Sequence, residues 1–254
     1  LDEIEGGLED KGPYQNVFLQ ECEIMNNLTA EMRRSLKELK MGFDGELTMS
    51  NAMESLMVAL YLDRVPESWQ KLAWDSMRSL AAWIQDLQSR YEQLTSWTNN
   101  PTDIPRCTWL SGLSNPTSFL TAVKQVTAQK AKLPLDSIII QTDVTKKMEA
   151  KDLEGEAKDG GAYCNGFYLE GARWDLEVGQ IVKSLPKEMF VPMPVINCKG
   201  ILSSAQDTTG VFLCPVYKTQ FRGPTFVFLA QFKTKSPAAR WILAGVAAVL
   251  DVGE

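Results

Sequence analysis

Only a few short stretches of this sequence bear side chains able to do chemistry. Ser184-Leu185-Pro186-Lys187 has the spacing of a Ser-Lys acyl-transfer pair, in which a lysine one helical turn away activates the serine. Pro186 breaks the helix that would set that spacing, so a turn is the expected reading. Glu170 and Asp175 flank Arg173 and Trp174 and could form a carboxylate pair for acid-base work. The plainer reading is preferred, because no pocket signal surrounds them: Arg173 pairs with a carboxylate in a turn, and Trp174 plugs the core. Gly160-Gly161 lies in a charged run without the strand-to-helix setting of a phosphate cradle, and no GxxxxGK(S/T) occurs anywhere. Asn27-Leu28-Thr29 is a formal glycosylation sequon, but it falls inside a predicted helix and is expected to stay unmodified.

The residue totals narrow the chemistry further. The chain has no histidine, so it holds no Ser-His or Cys-His nucleophile pair and no imidazole-ligated zinc. Cys22, Cys107, Cys164, Cys198 and Cys214 are scattered and never form CxxC, which points to free thiols and a reducing compartment. No catalytic, cofactor-binding or metal-binding residue is therefore expected here. A net charge of -6 argues against a nucleic-acid partner. No apolar run approaches the roughly 20 residues that cross a bilayer, so no membrane partner is expected. Absence of Met at position 1 and of a signal-peptide pattern suggests a piece of something longer. With 44% hydrophobic residues, seven Trp and ten Phe, 254 residues suffice for a sizeable core.

The elements around these stretches divide into a helical half and a strand half, an α+β chain. Residues 1–13 are acidic and Gly-punctuated and read as a linker or tail. From residue 14 to about 40, Phe18, Cys22, Met25, Met32, Leu36 and Leu39 recur at helical spacing as one narrow apolar seam. A seam so regular on so long a helix needs a partner, and these six residues are the candidate docking face. A second helix starts at Thr48 or Ser50, and a short segment begins at Pro66. A third helix spans 76–97 with Met77, Leu80, Ile84, Leu87, Tyr91 and Leu94 inward. Asn115-Pro116 opens a fourth, with Phe119, Leu120, Val123 and Val126 inward, ending near Lys132. The helical subdomain is placed at 14–134. From 135 to 254, β-branched runs at 138–140, 166–169, 195–201, 211–217, 226–232 and 241–250 alternate with turn residues and predict a small antiparallel β-barrel. The charged segment 146–161 has no periodicity and reads as a mobile surface loop.

Eight stretches in order resemble the C-terminal region of dynein heavy chains. They are Gly45-Glu46-Leu47-Thr48-Met49, Val65-Pro66-Glu67-Ser68-Trp69, Trp109-Leu110-Ser111-Gly112-Leu113, Asn115 to Ala122, Asp143-Val144-Thr145-Lys146-Lys147, Leu169 to Asp175, Cys214 to Thr219 and Arg222-Gly223-Pro224-Thr225. The Glu170 to Asp175 and Cys214 to Thr219 segments look like axonemal chains, with outer-arm type preferred. The family commonly shows a His near the position of Asn165, where this sequence departs from it. The resemblance implies several helices followed by a small β-barrel, placed beneath a ring of six AAA+ modules and against the first and last of them. It implies a non-catalytic region that braces the ring and modulates motor output. It also implies that ATP and Mg bind other modules of the full-length protein. Partners would be that ring, the other dynein subunits and, through the full-length protein, microtubules, in the cytoskeleton of a cilium or flagellum axoneme. The alternative is a free-standing hydrolase working through carboxylates or Lys187.

Overall fold

The computed structural model describes residues 6, 11–157 and 160–253, so most of the acidic segment 1–13 lies outside the described residues. Helix α1, Pro13–Phe43, is 31 residues long and starts with proline at its first turn. At 1.5 Å per residue it is about 46 Å long. Helix α2, Asn51–Tyr61, is capped as expected by Ser50, whose hydroxyl accepts the Met53 N–H. A single turn, α3, covers Glu67–Gln70. Helix α4, Leu80–Thr98, starts four residues later than the sequence suggests. Helix α5, Pro116–Ala131, is capped by Asn115 and stops where Lys132 turns left-handed.

The strand half is built of short pieces. Strands β1 (Cys107–Trp109), β3 (Ala162–Asn165), β8 (Ile196–Leu202) and β2 (Ile138–Val144) form one sheet in that order. Strands β10 (Phe226–Lys233), β9 (Val211–Thr219), β11 (Ala247–Asp251), β4 (Tyr168–Glu170) and β7 (Phe190–Pro192) form a second. Strands β5 (Arg173–Asp175) and β6 (Gln180–Val182) pair as a hairpin. The α+β class is as expected, but the pairing is mixed. β1 runs parallel to β3, and β11 runs parallel to β9. The 241–250 run also divides: Ala238–Leu243 forms helix α6, which buries Trp241, a turn follows, and the strand is only Ala247–Asp251.

In place of one continuous barrel ladder, the two sheets are joined at two corners. At the first, β3 passes into β4 through Gly166 and Phe167, and the adjacent β7 passes into β8 through Met193, Pro194 and Val195. The Met193 N–H donates to the Phe167 carbonyl there at 2.9 Å. Gly166 turns the backbone with φ +88, and a Cβ would stand 2.6 Å from the Trp109 ring, so only glycine fits. At the second corner no strand ladder forms. The Thr142 hydroxyl accepts the Gln231 N–H at 2.6 Å and donates to the Gln231 carbonyl at 2.9 Å, imitating a backbone partner.

The largest core crosses the 134/135 division. Phe18, Trp97 and Phe119 from the helices pack in one cluster with Cys164, Cys198, Phe232 and Val216 from the strands. A second core of Leu28, Leu39, Met53, Leu56, Trp69 and Trp83 lies entirely among the helices. Within 146–161, Leu153 is buried and anchors the segment, while 158 and 159 lie outside the described residues.

Thr142→Val keeps the volume at that corner but strands two buried backbone groups. It should lower stability by about 1–3 kcal/mol in urea unfolding. A midpoint unchanged from the parent would show that the sheets do not depend on this hydroxyl.

Candidate docking surface

The seam on α1 is mostly occupied by the protein itself. Phe18, Cys22 and Met25 are buried in the larger core, where the Phe18 ring stacks on Trp97 at 5.0 Å and meets the edge of Phe119. Leu39 is buried in the helical core, and Met32 packs half-buried against it. Leu36 alone of the six remains exposed, at 41%. The extra width that the seam lacked in sequence is supplied by Val17, Leu19 and Leu28 and by two polar side chains. Glu21 accepts the N–H groups of Ser114 and Asn115, at 2.7 and 2.8 Å, and so fastens α1 to the start of α5. Ser35 accepts the indole N–H of Trp69 at 3.0 Å.

Helix α4 turns only part of its expected seam inward: Leu94 is buried and Leu80 and Leu87 pack half-buried against the cores. Its buried residues are Trp83, Asp86, Arg90, Leu94 and Trp97, whereas Ile84 and Tyr91, and Met77 ahead of the helix, are exposed. The reason lies in the charges and the tryptophans. Trp83 and Trp97 carry the largest apolar area on the helix and take the two cores. The turn between them is Asp86 and Arg90, four residues apart, with Arg90 Nε donating to Asp86 Oδ2 at 3.1 Å. The guanidinium lies 4.0 Å above the Trp74 ring, which in turn stacks on Trp83. Burial pushes the Arg90 guanidinium below its ordinary pKa, and the Asp86 carboxylate opposes that shift. That orientation leaves Ile84 and Tyr91 outside, seven residues apart, together with Leu36, Val58 and Tyr61 elsewhere on the helices.

The other chemistry-bearing residues do not converge. Arg222 holds Glu170 at 2.6 Å, while Arg173 pairs with Glu188 at 3.4 Å. Asp175 accepts the N–H groups of Glu177 and Val178 within the β5–β6 turn, beside a buried Trp174. Lys187 sits in a left-handed turn, where the Glu188 carboxylate accepts the Leu185 N–H. Asn165 lies on β3, with its side-chain oxygen buried and unpartnered among the described residues. All five cysteines are free. Burial pushes the Cys22 thiol up to about 11 and the Cys107 thiol up to about 12, and it also raises Cys214. The Cys164 thiol is raised by its contact with Cys198 and by burial. Raised thiols are poor nucleophiles.

These features define an α+β domain, in which a helical arm and a strand body are built on one shared helix. The chain belongs to the family of C-terminal domains of dynein heavy chains, whose pattern matches residues 4–250. It is 48% identical over 250 residues to the ciliary dynein beta chain of Heliocidaris crassispina, covering 98% of this sequence. It is 45% identical over 252 residues to human dynein axonemal heavy chain 9, covering 99%. It is 47% identical over 240 residues to the flagellar outer arm dynein beta chain of Chlamydomonas reinhardtii, covering 94%. The chain spans only about 6%, 6% and 5% of the length of these three relatives. The resemblance to axonemal heavy chains, outer-arm chains among them, is thus upheld. Relatives of ciliary, flagellar and axonemal type are consistent with a place in the cytoskeleton and the axoneme.

Two outcomes check this surface. Phe18→Ala should cost about 3–5 kcal/mol in urea unfolding, as for a large core truncation, whereas Leu36→Glu should change stability by less than about 0.5 kcal/mol. Equal losses at the two positions would mean that Leu36 is core. Iodoacetamide at pH 8 should label Cys22 and Cys107 slowly in the folded protein and fast in urea, because pH 8 lies below both raised pKa values. Fast labelling of the folded protein would contradict the burial of Cys22 and the partial burial of Cys107.

Proposed function

We propose that this chain is a non-catalytic brace on the AAA+ ring of a dynein heavy chain and modulates the output of the motor. The observation that carries this reading is α1. One helix contributes Phe18, Cys22 and Met25 to the larger core and Leu28 and Leu39 to the helical core. Whatever touches the strand body is therefore mechanically coupled to whatever touches the helical arm, over a span of about 46 Å. A brace between the first and last ring modules needs such a strut. ATP and Mg bind other modules of the full-length protein, and microtubules and the other subunits of the axonemal complex are engaged through it. The ring-docking face expected on α1 is reduced there to Leu36, and the exposed Ile84 and Tyr91 of α4, with Met77 ahead of that helix, are further candidates.

Asn27 is exposed and lies on α1 between the residues of the two cores, so Asn27→Pro kinks the strut while leaving both packed faces in place. In the intact heavy chain this variant should lower microtubule gliding speed and microtubule-stimulated ATP turnover while basal turnover is retained. Asn27→Ala should behave as the parent. Gliding unaffected by the proline would remove the brace. The 254-residue protein by itself should give no saturable heat with Mg-ATP in titration calorimetry, and micromolar binding would sink the non-catalytic reading.

A further inference from the structure

On the strand body, α5, the edge of β2 and the paired strands β9 and β10 enclose an apolar groove of about 420 Å3. The run from Val211 to Tyr217 on β9 is apolar without a break, the pattern of a strand covered on both faces. Phe212, Cys214 and Val216 point into the core, while Leu213 on the opposite face is 37% exposed. Leu229 and Phe226 of β10 are 46% and 50% exposed and line the same groove. Helix α5 forms one wall, presenting Thr117, Thr121 and Lys124 from one of its faces. Lys124 is the only charged residue in the lining. It is half-buried, and its side chain has no hydrogen bond or ion pair among the described residues. By contrast, the half-buried Arg78, Lys199 and Arg222 are each answered by a carboxylate.

We propose that this groove binds a short extended segment of a partner protein, one that alternates apolar residues with carboxylates. Two features select that occupant. The first is the open edge of β10, the end strand of its sheet. Thr142 answers the backbone of Gln231 on that edge, and Leu229, two residues earlier, turns its N–H and C=O to the same side, where no strand pairs with it. An extended backbone supplies the matching donors and acceptors. The second is the unanswered Lys124, which selects negative charge over positive. Apolar side chains of the segment then cover Leu213, Phe226 and Leu229, and a carboxylate reaches Lys124. At 1.5 Å per residue, the wall from Thr117 to Lys124 is about 10 Å long, the length of about three extended residues. The volume falls within the roughly 300–1,000 Å3 of binding pockets. This surface lies apart from the exposed Leu36, Ile84 and Tyr91 of the helical arm and does not rest on the brace reading.

The test uses the 254-residue protein and a fluorescein-labelled peptide of alternating leucine and glutamate, read by anisotropy at constant ionic strength. Saturable binding is expected, with none for a leucine-lysine peptide of the same length. Lys124→Gln should weaken binding about tenfold. Leu229→Glu should abolish it, and Tyr61→Glu, on an exposed residue of the helical arm, should leave it unchanged. Melting temperatures are measured alongside, and if Leu229→Glu fails to fold, Lys124→Gln and the two peptides decide. An N-methylated leucine-glutamate peptide, unable to pair with a strand edge, should bind more weakly than its parent. Failure of the leucine-glutamate peptide to saturate overturns the proposal, as does equal binding of the two peptides. Undiminished binding to a folded Leu229→Glu protein also overturns it. Binding to phosphatidylserine vesicles without binding to the peptide would assign the groove to a lipid surface instead.

Discussion

A helix of 31 residues with charged groups along its outer side gains little from its own hydrogen bonds and depends on what its faces bury. In α1 the dependence is double. Phe18, Cys22 and Met25 face a core shared with strands more than a hundred residues away, and Leu28 and Leu39 face a core made of helices. Burying one large apolar side chain contributes about 1.5–3 kcal/mol, so neither core can release the helix cheaply. Glu21 adds a directional tie, since its two oxygens both accept backbone N–H groups ahead of α5. Every other arrangement, arm against body and sheet against helix, is set relative to this rod.

The joint between arm and body is built on a different principle. Asp86 and Arg90 occupy an inner face that apolar residues would fill more cheaply, since desolvating an ion pair offsets most of its attraction. What the pair supplies is a fixed planar cation between the ring of Trp74, at 4.0 Å, and that of Trp109, at 5.4 Å. It also shifts the inward face of α4 to one side of its apolar seam, so that Leu80, Leu87 and Leu94 face in while Ile84 and Tyr91 face out. A stability cost inside thus goes with apolar side chains left outside. The sheet corner at Thr142 repeats the economy: one hydroxyl replaces a strand pairing that the geometry of β2 and β10 does not form.

Much was legible in the residue order itself where the controlling forces are local. Ser50 and Asn115-Pro116 cap helices because a side-chain oxygen reaches an N–H three residues on, and no distant contact is needed. The spacing of Phe18, Cys22 and Met25 marked a buried face, and the turn residues from 160 onward marked strands. The ordered set of short segments identified the dynein heavy chain family, which no single segment could do. The absence of histidine and the isolation of Glu170, Asp175 and Lys187 argued against hydrolysis, and each of these side chains proves to be engaged in, or placed at, a turn or a lone ion pair.

Tertiary structure decided what depends on residues far apart in sequence. Periodicity ranks apolar side chains by position but does not reveal that a buried Arg90 finds Trp74 and Trp109, so only Leu80, Leu87 and Leu94 of the α4 seam were read correctly as inward. It says that α1 has a partner but not that the partner lies within the same polypeptide. Alternation of strands and turns does not distinguish parallel from antiparallel neighbours, and β1 beside β3 and β11 beside β9 are parallel because distant segments meet there. The sequence determined the elements and the family, because caps, periods and motifs act within a few residues. The faces and the joint were settled only when those elements packed, because burial and charge pairing are properties of neighbours that the order of residues does not name.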